Sequence, residues 1–530
     1  MARFNVSASK KYLDINHEGD SSYKLTPEME LYSMVCTSAL QPKFYVPNTN
    51  DQLNKIKTAL RNVDPLFAAQ LAVYAREKMY LRSIPLVLAV ELTKIYKGND
   101  DLIRRLTKRV VQRADEITEL LSYYVKANKK EPKVIKTKGN HTTYKTIHGL
   151  SNQMNKGIKD LFESGKFNEY QLAKYNRKTE IKLRDALFLS HPKPQNQEQK
   201  DLFNKLANND LDIPYTWEVE MSMAGEIKGS KKEVWENMID SGKMGYMAML
   251  RNLRNFVKEG ISNEHIYKVA ERLSDYEQVK RSKQLPFRFL SAYRALGQNP
   301  ARNMYWGEND YATSENENCH PALLRALEKA VCISVENIPM FTGEDVLIAT
   351  DVSGSMQHTF SERGTTQLFD IGTLLAMLLQ NRCANATVGM FGDTWKVLDD
   401  LPSNNILEAT NEVHKREGEV GYSTNGWKVL DWCLKTKTKY DRIMIFTDCQ
   451  MWNSNSRDKN SINRLWYRYR SISPKTKLYL FDLSGYGGSP LDMRDNNVHL
   501  ISGWSEKIFN VMSNIEQGGS SLDEIKEIKL

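Results

Sequence analysis

Five oxygen-bearing residues late in the chain have the types and spacing to hold a hard cation. Asp351, Ser353 and Ser355 alternate along Asp351-Val-Ser-Gly-Ser355. Thr424 lies in the polar loop Gly421-Tyr-Ser-Thr-Asn425, and Asp448 follows the apolar run Arg442–Thr447. A magnesium ion takes about six oxygens in an octahedron and keeps several waters. Two serine hydroxyls can bind directly, a carboxylate supplies charge, and a position stays open. The competing reading makes both aspartates ordinary helix or turn caps. Their arrival in order, with the Ser-x-Ser and the loop threonine between them, favours the cation. Phosphoryl hydrolysis on a strand-end aspartate needs a second carboxylate two residues on, and here that position is Ser353. Neither a phosphate-binding Walker loop nor a helical metalloprotease motif occurs, so the chain is expected not to be an enzyme.

These residues need a scaffold that brings separate loops together. Val346–Thr350 is a short, continuous apolar run, as expected of a strand buried on both faces in a parallel sheet. Arg442–Thr447 is a second such strand. Ligands in these sheets sit at the carboxyl ends of the strands, where Asp351 and Asp448 fall. Further strands are expected at Ala386–Phe391, Leu478–Asp482 and Val498–Ile501. Helices are expected at Thr366–Asn381, Gly426–Leu434, Ser461–Ser471 and Trp504–Ile515, with a polar, frayed tail over 516–530. The alternation of strand and helix implies a doubly wound α/β domain over 341–515.

Residues 1–340 read differently. The first 25 are irregular or β-like, and helical signals follow. Thr26-Pro27, Asp64-Pro65, Ser83-Ile-Pro85, Leu285-Pro286 and His320-Pro321 each set a proline at a helix start. One helix is expected over Asp101–Lys126, and others near Val234–Met238, Tyr246–Val257 and Ile266–Leu273. Helix pairs of about 35 residues are the units of an α-solenoid. Lys129–Asn155 is polar and lysine-rich and reads as a loop between helices.

Charge separates the two regions. The net charge is +9, made of about −3 over residues 341–530 and about +12 over residues 1–340. Residues 121–185 alone carry about +9, which suggests either a solvated lysine surface or a polyanion partner. The six cysteines are scattered without a C-x-x-C pair, and the first residues show no apolar secretory segment. A cytoplasmic location is the expectation. These features disfavour a cell-surface adhesion role.

The Asp351, Ser353, Ser355, Thr424 and Asp448 set resembles the metal-ion-dependent adhesion site of the von Willebrand factor A module, over roughly residues 343–515. That resemblance implies Ser353, Ser355 and Thr424 as direct ligands of a divalent cation, magnesium foremost. Asp351 and Asp448 would act largely through waters. Asn425 stands where a more acidic residue could sit. The helical region carries Tyr74-Ala-Arg-Glu77, Leu183-Arg-Asp185, His191-Pro-Lys-Pro194, Pro214-Tyr-Thr-Trp-Glu218, Trp235-Glu236, Lys243-Met-Gly-Tyr-Met, Arg251-Asn-Leu-Arg-Asn255 and Asn337-Ile-Pro339. Together these resemble the TROVE module of the Ro ribonucleoprotein family, in which an A-type domain follows.

The resemblance implies HEAT-like helical repeats closed into a monomeric ring over 1–340. It implies small noncoding Y RNA on a basic outer face and single-stranded 3′ ends of misfolded or decaying RNA in a central hole. An exoribonuclease partner occurs in bacterial members. The family's RNA-contacting lysine, second basic residue and histidine map onto Lys174, Lys178 and His191. Lysine at the second position keeps a point-charge contact to phosphate but loses bidentate recognition. Tyr175 and Phe188 read as packing residues, and His191 equally as a helix cap beside Pro192. The alternative function is a metal-dependent protein-docking scaffold without an RNA role, with a metal-dependent phosphoryl hydrolase behind it.

Overall fold

Proline and short polar side chains start many of the helices. In the computed structural model, Pro65 opens the helix Pro65–Glu77, and the Asp64 carboxylate accepts the Leu66 N–H at 2.9 Å. Pro321 opens Pro321–Ser334 in the same position. The structure describes residues 13–16, 19–38, 51–129, 133–138, 141–145, 149–176, 179–227, 230–297, 320–336, 338–359, 365–402, 405–451 and 461–530. Packing divides the chain into two units, one of Pro27–Tyr215 with Leu522–Leu530, the other of Met1–Thr26 with Thr216–Ser521.

The Pro27–Tyr215 unit is helical, as the proline pattern indicates. Its helices pack in succession, Pro65–Glu77 against Ser83–Ile95 and Leu102–Val110 against Asn152–Glu163. Buried Leu71, Leu86, Leu106 and Leu121 fill the space between them. The single helix expected over Asp101–Lys126 is two, Leu102–Val110 and Ala114–Ala127. Glu116 explains the break. Its buried carboxylate accepts the N–H groups of Gln112 and Arg113 at 2.8 and 3.1 Å, capping a new helix start. Arg76 and Arg82 pair with the same carboxylate, at 2.8 and 3.1 Å. A buried acid so held terminates one helix and begins the next, which periodicity does not reveal.

Two further expectations are corrected here. Within Lys129–Asn155 the described residues include an antiparallel pair, Lys133–Lys138 with His141–Lys145. Its Val, Ile, Thr and Tyr content suits strands better than a loop. The 516–530 stretch is ordered, because Asp523–Lys526 forms a helical turn and Ile525 is fully buried.

The other unit contains the α/β sheet together with helices from Trp217–Ile227 to Pro321–Ser334. In chain order the strands are β1 (Leu13–Ile15), β2 (Ser21–Lys24), β3 (Lys133–Lys138) and β4 (His141–Lys145). Then come β5 (Phe341–Asp351), β6 (Cys383–Phe391), β7 (Trp395–Val397), β8 (Arg442–Thr447), β9 (Lys477–Asp482), β10 (Gly488–Ser489) and β11 (Val498–Ser502). The large sheet runs β11-β9-β8-β5-β6-β7, parallel throughout except for β7 at the edge. β1 and β2 extend a small sheet onto β10. The element type changes at residue 341, as expected, but packing does not. Arg294 of the helix Pro286–Gly297 holds buried Asp370 of Leu368–Gln380 through two bonds of 2.7 and 2.8 Å. Glu328 accepts the N–H groups of Leu407 and Glu408, at 3.1 and 3.0 Å, at the start of Ile406–Arg416.

Candidate metal centre and nucleic-acid surface

β5 leads to β6 on one side, and the chain later returns to place β8 on the other. The strand order therefore reverses between β5 and β8, the position where open α/β sheets bind ligands. Asp351 ends β5 and Asp448 directly follows β8. Both carboxylates are buried, Asp351 at 1% exposure and Asp448 at 0%. Asp351 Oδ1 accepts the Ser353 N–H at 3.0 Å, and Oδ2 accepts the Thr447 hydroxyl at 2.6 Å. Ser353 Oγ lies 3.3 Å from Ser355 Oγ. The Gly354 N–H donates to Tyr422 O at 2.9 Å, fastening the serine loop to the loop that carries Thr424.

That second loop is seated by close backbone contact. The Asn425 N–H donates to Gly392 O at 3.2 Å, and Thr394 N–H to Val420 O at 3.0 Å. A Cβ on Gly392 would stand 2.0 Å from Gly421 O, so only glycine lets the loop lie on the end of β6. Thr424 is 5% exposed. Asn425 Oδ1 accepts the Trp427 indole N–H at 3.1 Å.

The electrostatics of the pair favour a cation. Burial pushes the Asp351 carboxyl up to about 6, an effect eased by Ser353 and Thr447. Burial, then the charge of Asp351, pushes Asp448 up to about 7. Asp448 Oδ2 is buried with no hydrogen-bond partner. A buried, unsatisfied carboxylate oxygen is costly unless something positive meets it. Two acids, two serine hydroxyls and a threonine thus form an oxygen donor set that fits a hard divalent cation. Two neighbours escaped sequence reading. Thr447 orients Asp351, and Asp482 at the end of β9 accepts the Ser484 and Gly485 N–H groups at 3.0 and 2.9 Å. Asp482 ends a run of the same form as β5 and β8, which was the available signal.

On the helical unit, Lys174 lies exposed in the last turn of Glu169–Tyr175. Its ammonium sits 5.5 Å from the Tyr170 ring centre and 5.8 Å from that of Tyr175. The Arg113 guanidinium lies 4.3 Å from the Tyr175 ring centre, a contact that spacing could not reveal. His191 is the left-handed C-cap of Leu183–Ser190 at φ 47°, its N–H donating to Leu187 O at 3.0 Å and its side chain exposed. Capping by the backbone thus leaves the imidazole outward. Phe188, expected to pack, is 55% exposed. Lys178 lies outside the described residues.

A solenoid-type helical region followed by an A-type domain defines the class of protein. Residues 28–210 and 208–304 match the TROVE domain family, and residues 345–516 match the Ro60 vWA domain family. The chain belongs to the Ro family of TROVE proteins. Over 301 residues it is 23% identical to the RNA-binding protein RO60 of Caenorhabditis elegans, covering 54% of this chain and 42% of that one. Over 86 residues it is 46% identical to telomerase protein component 1 of Rattus norvegicus, covering 16% of this chain and 3% of that one. The chain therefore spans less than half the length of these curated relatives. The crystal structure of the Deinococcus radiodurans RO (RSR) protein shares the fold with a TM-score of 0.58 at 17% identity, covering 93% of this chain and 99% of that one.

Proposed function

We propose that this protein binds RNA through the basic helical unit and uses the A-type domain to dock a partner through a divalent cation. The observation that carries the first half is Lys174 on a ledge of aromatic rings, with Arg113 stacked below it on Tyr175. Cations beside rings serve both parts of an RNA strand, phosphate and base. The relative from Caenorhabditis elegans is named an RNA-binding protein, which supports the same reading. The finer reading is a small, structured Y-type RNA on this face, with single-stranded 3′ ends as a second substrate and an exoribonuclease as partner. His191, outward and next to Pro192, would add a further contact. The protein acts by binding rather than catalysis, and its place is the cytoplasm.

For the second half, Ser353, Ser355 and Thr424 would hold magnesium directly, with Asp351 and Asp448 through waters. The cation would supply an electrophilic position for an acidic side chain of a partner. This chain's own residues hold the loops: Thr447 fixes Asp351, and Gly354 ties the serine loop to Tyr422. The test is to purify the protein without nuclease, crosslink, and sequence the attached RNA. A discrete small RNA is expected, with Asp351→Ala removing partner capture but not the RNA. Protein free of RNA at low ionic strength would overturn the proposal.

A further inference from the structure

The chain crosses between its two packing units at residues 26/27, 215/216 and 521/522. The third crossing delivers only residues 522–530, and their attachment is unlike that of a core segment. Ile525 and Leu522 are the buried apolar anchors, at 0% and 6% exposure. The rest of the grip is polar and falls on main-chain carbonyls. Gln70 Nε2 donates to Lys526 O and Ile528 O at 2.8 and 3.0 Å. Arg109 donates to Lys529 O at 2.5 Å and Arg105 to Leu530 O at 3.0 Å. Lys78 pairs with Glu524 at 3.4 Å, and Lys526 with Glu28 at 3.9 Å, all with exposed or half-exposed side chains.

Carbonyls gripped by exposed guanidinium groups are open to competition from water and salt, and exposed ion pairs are screened. The segment has a single helical turn of its own, Asp523–Lys526, which cannot persist unsupported. The helix that receives it, Pro65–Glu77, is by contrast buried along nearly its whole length. Such a contrast in local stability is the physical setting for opening without global unfolding.

We infer that residues 522–530 form a detachable strap: one covalent tether between the two units that releases and re-docks while both units stay folded. Its docked state limits how far the units can move apart, and its release removes that limit. The consequence for RNA uptake rests on the RNA-binding reading, whereas the strap itself does not.

Two measurements separate these. In hydrogen exchange of the full chain, amides of 525–528 should exchange at least roughly tenfold faster than those inside Pro65–Glu77, and faster again in 0.5 M salt or in Arg105→Ala with Arg109→Ala. Exchange of both segments at one common rate, insensitive to salt and to those substitutions, would overturn the strap. For function, Gln70→Cys with Ile528→Cys, bridged by a short bismaleimide linker, locks the strap in a protein of unchanged fold. Locking should slow association of a small hairpin RNA at least roughly threefold, with the unbridged variant behaving as the parent. Fast exchange with an unchanged association rate would keep the strap and reject its role in uptake. Absence of RNA binding in every form would instead reject the RNA reading.

Discussion

Arg294 and Asp370 provide the sharpest test of how the A-type sheet is joined to the helices before it. Asp370 is fully buried and receives two bonds from Arg294, one from His414 at 2.7 Å, and the Gln367 N–H at 2.8 Å. Burial alone would raise its carboxyl, but the bonds from His414 and Arg294 hold it down at about 2. Against an ordinary value near 3.8, that is a contribution of about 2.4 kcal/mol to folding at neutral pH. The sign follows from a lowered folded-state value: the contribution is present above pH 3.8 and is lost as pH falls through about 2. Arg294→Leu leaves a buried carboxylate with only His414 and a backbone N–H, and should cost about 3–5 kcal/mol at pH 7. Asp370→Asn in that background removes the stranded charge while keeping an acceptor for Gln367, so the double variant should recover about 1–3 kcal/mol. Urea unfolding of the four proteins of this cycle, followed by tryptophan fluorescence, gives the numbers. A loss under about 1 kcal/mol for Arg294→Leu, or no recovery in the double variant, would refute the reasoning.

Three other outcomes follow from the same contacts. Magnesium should stabilise the parent by about 2.7 kcal/mol at a hundred times its dissociation constant, read as a thermal shift, whereas Ser353→Ala and Asp351→Ala should show little shift. Asp448→Asn should be more stable than the parent in chelator at pH 8, because it removes a buried charge with an unpartnered oxygen, and should lose the magnesium gain; lower stability in chelator would contradict that account. Glu116→Gln keeps the cap on Gln112 and Arg113 but leaves Arg76 and Arg82 without their common carboxylate, costing about 2–4 kcal/mol in denaturant unfolding.

The metal loop was legible because its donors lie close in sequence and follow apolar strands, a pattern that local chemistry sets. Asp351, Ser353 and Ser355 needed only their own spacing, and Thr424 and Asp448 needed the order of strands. What could not be read was anything decided across long separations. Glu116 ends one helix and starts another because Arg76 and Arg82 reach it from elsewhere, so a continuous helical pattern misled. Residues 523–526 look like a polar tail, and only the burial of Ile525 with the grip of Gln70 makes them structure. The break at residue 341 is a change of element, clear from the pattern. The packing boundary at 215/216 is set by contacts such as Arg294 with Asp370, which no pattern encodes. Arg113 on Tyr175 belongs to the same class, being an inter-helix contact.

The central claim is that the helical unit binds RNA through phosphate-directed cations around Lys174. The measurement that bears on it most directly is the salt dependence of affinity for a small structured RNA, with parent and Lys174→Ala compared. The account predicts a steep linear fall of log affinity with log salt, and a slope shallower by about 0.7–0.9 in the variant, whatever the RNA sequence. An affinity indifferent to salt, or a Lys174→Ala slope equal to that of the parent, would contradict it.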